Sequence, residues 1–260
     1  MPSYKAKAII LKSYKLGESD KIVKMYSQDG DIINAVAKSA RKIHSKFGGR
    51  LELFNLVDLE LSTGRNLDII NQVEIIKSFK NIASDFYKFV FCEIISKIIL
   101  KTQVSGGDSS PLLFKLIYAC FNEINNLDPE DVVSLKKTMC FFGIKFLRIT
   151  GYVPLLGNCS KCNQKLKNLY SLHKDKIYFS VKYGGVLCRK CADSSGGIEV
   201  LGASDYRFLY DLFNLKLEDF RDLEVGLPTL KRVYKLIEDY IIYHTECNVE
   251  SFKYFKKIGL

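Results

Sequence analysis

Two C-x-x-C pairs carry the most specific chemistry in this chain of 260 residues. Cys159-Ser-Lys-Cys162 and Cys188-Arg-Lys-Cys191 are separated by 25 residues. Each pair can fold as a tight knuckle with both sulfurs on one side, and four thiolates suit one tetrahedral Zn2+. A redox dithiol is the competing chemistry, but it calls for a single C-x-x-C at a helix start after a strand. Four cysteine ligands leave no coordination position for water, so the expected role of the zinc is structural.

The second constellation is basic. Between Ala37 and Phe54, Lys38, Arg41, Lys42, Lys46 and Arg50 follow one another with no acid between them, and Gly48-Gly49 lets the backbone turn or approach a ligand closely. Such a loop can meet a polyanion, or it can be a solvated surface run. Composition favours the polyanion: 39 Lys and Arg against 29 Asp and Glu give a net charge of +10 and a pI near 9.1, which points to nucleic acid or an anionic membrane surface. The excess is uneven, since residues 1–50 hold eleven cations and four acids. Lys5 and Lys7, on an alternating run at the start of the chain, are candidates to extend the same surface. Tyr4, Tyr14, Tyr26, Phe47 and Phe54 lie among these lysines and offer faces for unstacked bases, with one or two expected to reach a base and the rest to fill a core.

Catalysis finds little support. The sequence has no G-x-x-x-x-G-K-[ST] phosphate loop, no G-x-G-x-x-G and no H-E-x-x-H. His44, His173 and His244 are scattered and read as solvated or structurally bonded. Glu18, Asp20 and Asp31 sit beside turn glycines, where turn bonding accounts for them. Cys92, Cys120 and Cys140 fall on apolar helical faces and read as inert core thiols. The N-terminal stretch lacks a signal-peptide core, and Phe86–Leu100 is interrupted by Lys88, Glu93 and Lys97, so a cytoplasmic protein without a membrane span is expected.

Five strand-like runs must position the basic stretch. They are Tyr4–Ile10, Lys21–Tyr26, Asp31–Ala37, a run from Leu51 through Leu61, and Asn66–Ile76, divided by turns at Gly17–Asp20, Asp29-Gly30 and Thr63-Gly64. Five strands in some seventy residues predict an OB-like barrel. Helical periods follow over Ile82–Lys101, ended by a loop at Gly106–Ser110, then over Leu112–Asn125 and from Asp128-Pro129-Glu130 to Thr150. Strands over Tyr170–Ser180 and Lys182–Val186 complete a zinc ribbon, and helices over Ala203–Leu215 and Pro228–Thr245 are expected to pack back on residues 81–150. The expected organisation is α+β and multidomain: residues 1–80 an OB-fold β-barrel, 81–155 and 198–260 the two parts of an α-helical domain, and 156–197 an inserted zinc ribbon with four cysteine ligands.

Leu16-Gly17-Glu18-Ser19-Asp20-Lys21, Gly30, Ala37-Lys38-Ser39-Ala40-Arg41-Lys42, Ser45–Leu51, Leu59-Glu60-Leu61, Gly151–Leu155 and the two C-x-x-C pairs together resemble the bacterial RecO family of DNA repair proteins. The resemblance covers essentially the whole chain. It implies a recombination mediator of the RecFOR pathway, with no ATP hydrolysis of its own. Such a protein binds ssDNA and dsDNA and anneals complementary strands, including strands coated by single-stranded DNA-binding protein (SSB). It also implies RecR as a partner, a groove for the acidic C-terminal tail of SSB, RecA indirectly through loading on SSB-covered DNA, and a nucleoid association during repair. Lysine stands where arginine is common in the basic stretch, which keeps phosphate attraction and gives up bidentate geometry. Lys161, Lys165, Lys167, Arg189 and Lys190 either extend the DNA surface or are solvated knuckle residues. The alternatives from other classes are a zinc-stabilised DNA-processing nuclease and a scaffold that only bridges SSB and RecR.

Overall fold

The computed structural model describes residues 2–103, 110–166 and 176–247, in two compact units, Met1–Asp131 and Val132–Leu260. The expected loop at Gly106–Ser109, the part of the ribbon strand before Lys176, Lys167 and His173 lie outside the described residues.

In the first unit, β1 (Ser3–Leu16), β2 (Asp20–Ser27), β3 (Ile32–Ala37), β4 (Leu56–Ser62) and β5 (Asp68–Lys77) close into a barrel in the order β1-β2-β3-β5-β4. This is an OB-fold. Alternation places Ala6, Ala8 and Ile10 of β1 inside with Val23, Met25, Ile33, Ala35, Val57, Leu59 and Leu61. The long strand β1 serves two neighbours: its first half pairs with β4, its second half with β2, and a bulge between Ile10 and Lys12 marks the change. A short parallel pairing, Ala35 with Asp68 and Val36 with Ile69, closes the barrel.

The strand expected at Leu51–Leu53 is a 3-10 turn over Gly48–Leu51, and β4 begins only at Leu56. Phe47 and Leu51 are four apart and both enter the barrel core, a helical spacing that short-range alternation with Leu53 concealed. Among the described residues, three helices complete this unit: α1 (Lys80–Ala83), α2 (Phe86–Thr102) and α3 (Pro111–Asn126). The single helix expected from Ile82 is divided because Asp85 accepts the Lys88 N–H at 2.9 Å and caps a new start. Helix α2 packs on β1 and α3 on β2, with Phe54 edge-on to both Phe89 and Phe121 at 5.3 Å. Gly30, at φ +99°, meets the start of α3 so closely that a Cβ would lie 2.2 Å from the Ser110 nitrogen.

The second unit contains α4 (Val132–Ile149), then β6 (Ile177–Ser180), β7 (Gly185–Leu187), α5 (Arg189–Asp193), β8 (Glu199–Leu201), α6 (Ala203–Asn214), α7 (Leu217–Arg221) and α8 (Leu227–Thr245). The ribbon sheet runs β7-β6-β8. Its second strand starts later than the run from Lys182 predicts, because the Gly184 N–H returns to the Val181 carbonyl in a turn. Its third strand, β8, lies past residue 197. Helices α4, α6 and α8 pack against one another. Asp205, buried at the start of α6, accepts the Arg232 guanidinium of α8 at 2.8 and 2.9 Å and the Gly202 N–H at 3.0 Å. The ribbon is held to α8 through the His244 ring N–H, which donates to the Val181 carbonyl at 2.7 Å, and through Phe179 against Tyr240. Cys92, Cys120 and Cys140 are buried, and burial pushes each thiol far above its ordinary range, so they are inert core residues. No described helix is long and apolar enough to cross a membrane.

Candidate nucleic-acid interface and metal centre

The turn between β1 and β2 builds the basic loop. Asp20 accepts the Ser39 N–H at 2.7 Å and the Ser19 hydroxyl at 3.0 Å, and Ser39 takes a left-handed φ of +56° to make the bond. Those bonds, with the charges of Lys38 and Lys42 nearby, hold the Asp20 carboxyl below its usual range. Arg41 completes the grip: its N–H donates to the Ser19 carbonyl at 2.9 Å, and its Nη1 reaches the carbonyls of Gly17 and Glu18 at 3.0 and 2.9 Å. Two stretches that are separate in sequence, Gly17–Asp20 and Lys38–Lys42, thus form one structure. Farther along, Lys46 Nζ donates to the Asn71 carbonyl at 2.7 Å and Arg50 Nη1 to the Lys46 carbonyl at 3.0 Å. Lys38, Arg41, Lys42, Lys46 and Arg50 are all exposed.

Lys5 and Lys7 stand apart from this loop. They are exposed on the half of β1 that pairs with β4, directly across from Glu60 and Asp58, and Asp58 in turn faces Glu74 on β5. Two lysines among three acids make a mixed patch, with opposite charges at cross-strand distance. The other half of β1 is different. Beyond the bulge, Lys12, Tyr14 and Leu16 share the outer face with Ile22 and Lys24 of β2 and Val36 of β3, and this face leads directly into the turn that grips the loop.

Of the five aromatic residues, one or two of which were expected to reach a base and the rest to fill a core, four are taken up within the fold. Tyr26, Phe47 and Phe54 are buried, and the Tyr4 hydroxyl donates to Asp68 at 2.5 Å. Tyr14 is exposed, with Lys12 Nζ 4.8 Å from its ring centre. Of the five, Tyr14 is therefore the one whose side chain is exposed.

The four cysteines converge: the sulfurs of Cys159, Cys162, Cys188 and Cys191 all lie within 4.8 Å of one another. The first knuckle closes through the Asn163 N–H to the Cys159 carbonyl at 2.8 Å, with Asn163 at φ +59°. The second is formed by Cys188 at the start of α5 and Cys191 within it. Burial of Cys159 would raise its thiol, but the N–H groups of Cys188, Cys162 and Lys161 outweigh it and bring the group down to about 6. Cys191 moves the other way, to about 12, chiefly because of the neighbouring Cys188 sulfur. Four crowded sulfurs cannot all ionise unaided, and a bound dication removes that conflict. The quartet can hold a metal ion, and among the described residues it is the group of at least three ligating side chains close enough to do so.

Residues 1–79 match the family model described as recombination protein O, N terminal, and residues 83–251 match recombination protein O, C terminal. The chain belongs to the RecO family. Among similar proteins, the DNA repair protein RecO of Caldanaerobacter subterraneus subsp. tengcongensis is 28% identical, over 98% of each chain. That of Cutibacterium acnes is 31% identical over 74% of this chain and 75% of its own. That of Dehalococcoides mccartyi is 32% identical over 76% of this chain and 73% of its own. RecO membership makes DNA repair the role of this chain. The boundary between the two RecO family models falls at the end of β5, where the barrel ends.

Sequence reasoning did not single out Lys12 and Lys24 in this RecO barrel, nor Ile43 at the tip of its loop. The signal for the lysines was present in the β1 and β2 alternation, which puts both on the outer face with Tyr14. The second unit adds another unanticipated group. Lys145 and Arg148 of α4 both donate to the Phe213 carbonyl, at 3.0 and 3.3 Å, and Lys137 donates to that of Arg221 at 2.8 Å. These cations lie over the rings of Phe141, Phe213 and Phe220. Burial, and secondarily the charge of Arg148, push the Lys145 ammonium down to about 8. Lys161 of the ribbon bonds Ser194 and Ser195, and Lys165, Arg189 and Lys190 are exposed.

Proposed function

We propose that this chain is a recombination mediator that holds single-stranded DNA on the outer face of β1, β2 and β3 and on the basic loop, binds duplex DNA through the same cations, and anneals complementary strands. The observation that carries the reading is the clasp between Gly17–Asp20 and Lys38–Lys42, which joins the loop cations to the face bearing Lys12, Tyr14 and Lys24. Cations along the phosphates and an aromatic face for a base are the two halves of single-strand recognition. Neutralising phosphates lowers the repulsion between two strands, and base pairing then drives annealing without ATP. Lys5 and Lys7 are left out of the contact because they face acids.

The quartet Cys159, Cys162, Cys188 and Cys191 would hold one Zn2+ as a structural ion, which supplies a crosslink between the two knuckles and no reaction. The acidic tail of SSB is assigned to the α4 surface at Lys145, Arg148 and Phe213. Lys145 is a half-buried cation beside a second cation, and a carboxylate there would offset the cost of keeping it charged. With RecR, the chain would promote RecA loading on SSB-covered strands. A nuclease needs carboxylates gathered around a catalytic metal, and no such acidic group stands out among the described residues.

The test is ATP-free annealing of two labelled complementary oligonucleotides, bare and SSB-coated, with full-length product checked on the same gel. Rapid annealing that weakens with salt and is slowed in a Lys38→Ala, Lys42→Ala variant supports the reading. Annealing unaffected by that variant moves the DNA elsewhere, and magnesium-dependent loss of full-length strands replaces the mediator with a nuclease.

A further inference from the structure

Ile43 is 96% exposed, the most exposed of the large apolar side chains among the described residues. It is the second residue of a turn closed by the Ser45 N–H to the Lys42 carbonyl at 3.0 Å. Such positions favour proline and small polar residues, and a β-branched side chain there gains no burial from folding. Single exposed apolar residues are ordinary on protein surfaces, but this one is mounted on a braced loop. On one side Arg41 is bonded to Gly17, Glu18 and Ser19. On the other, Lys46 is bonded to Asn71 and Phe47 is buried in the barrel core. Lys42 and His44 flank it, and no acid lies between Lys38 and Arg50. Tyr14 and Leu16, both exposed, lie on the strand that enters the same clasp.

We propose that Ile43 is an apolar wedge that packs against a nucleobase of the bound single strand and separates it from its neighbour, while the surrounding cations hold the phosphates. This rests on the DNA-binding reading above and adds a positioning residue to it. Apolar side chains placed between base steps are a recurrent way to unstack nucleic acid. An isoleucine has no donor or acceptor, so it occupies the base face and leaves the Watson–Crick edge open. A polar side chain at the apex would compete for the edge that an incoming complementary strand must read. The wedge therefore suits a protein that presents bases for pairing.

The chain has no tryptophan, so Ile43→Trp creates a single reporter at the apex. Its emission is expected to fall on saturation with an oligothymidine and to stay level with an abasic oligonucleotide of the same length. Ile43→Ser should bind the oligothymidine about three- to tenfold more weakly, bind the abasic strand unchanged, keep the parent's salt dependence and anneal more slowly. An unchanged thermal midpoint for both variants shows that the exposed position is not needed for folding. Ile43→Ser binding both oligonucleotides like the parent, or Ile43→Trp emission indifferent to bases at saturation, overturns the wedge. If Lys38→Ala, Lys42→Ala also binds like the parent, the DNA-binding reading itself fails; if that variant loses affinity while Ile43→Ser does not, only the wedge is lost.

Discussion

Removing Lys38 and Lys42 together tests the electrostatic half of the proposed interface. Both ammonium groups are exposed, whereas Arg41, Lys46 and Arg50 also bond backbone carbonyls of the loop and its supports, so the double change removes charge and leaves the clasp intact. If all five loop cations neutralise phosphates of a single strand, they contribute about −3.5 to the slope of log K against log salt, beside the share of Lys12 and Lys24. Without two of them that contribution is about −2.1. Between about 50 and 200 mM salt the loop then accounts for a loss in affinity of about 130-fold in the parent and about 18-fold in the variant. Fluorescence anisotropy of a labelled oligothymidine across that range measures both slopes. The companion variant Lys5→Ala, Lys7→Ala removes the same formal charge from the mixed patch opposite Asp58 and Glu60, and its slope should match the parent's. Equal slopes for the parent and the loop variant would refute the assignment of phosphates to the loop, and a drop in the Lys5, Lys7 variant would refute the separation of the two barrel faces.

Cys188→Ser, or chelation of the parent, should release about one zinc per chain and expose residues near the knuckles to protease while the barrel stays resistant, as read by metal analysis and limited proteolysis. Asp205→Ala breaks the pair between the buried Asp205 carboxylate and the half-exposed Arg232 guanidinium that joins α6 to α8 and should destabilise the second unit by about 1–2 kcal/mol in a denaturant titration; Arg232→Ala, which strands the buried carboxylate, should cost at least as much. Lys145 is lowered to about 8 in the folded chain, below an ordinary lysine near 10.4, so its charge opposes folding below pH 8 and that cost is relieved as pH rises from there. An acidic tail peptide needs the charged form, so its affinity, followed by calorimetry, should fall as pH rises through about 8, and Lys145→Ala should abolish that dependence.

The barrel was legible because Tyr4, Ala6, Ala8 and Ile10 alternate with lysines, a period only a half-buried strand maintains. The quartet was legible from spacing alone, because C-x-x-C is short enough to dictate its own geometry. What escaped depended on partners distant in sequence. Nothing local to Asp20 says that it will hold Ser39, or that Lys5 and Lys7 will find Glu60 and Asp58 across the ladder. Leu51 and Leu53 imitated a strand because alternation over three residues cannot be told from a tight turn that also buries Phe47 and Leu51. The third ribbon strand, β8, is three residues long and sits between a glycine turn and a helix, too short for any period to register. Tyr26, Phe47 and Phe54 were plausible stacking residues until the barrel closed over Phe47, the start of α3 at Ser110 covered Tyr26, and α2 and α3 covered Phe54.

In the proposed interface, the change of partner along β1 limits how much of that strand the DNA can follow. Only Lys12 to Leu16 lies on the cationic face, five residues that at about 3.3 Å each span about 16 Å, before the strand passes into the half that faces acids. With the basic loop beside it, a strand contribution of that length fits the short end of the range of about 4–16 nucleotides covered by one OB-fold. A protein that coats DNA gains from covering as many bases as it can. One that covers few leaves the remainder of the strand available, and a second strand can begin pairing beside the grip without displacing it.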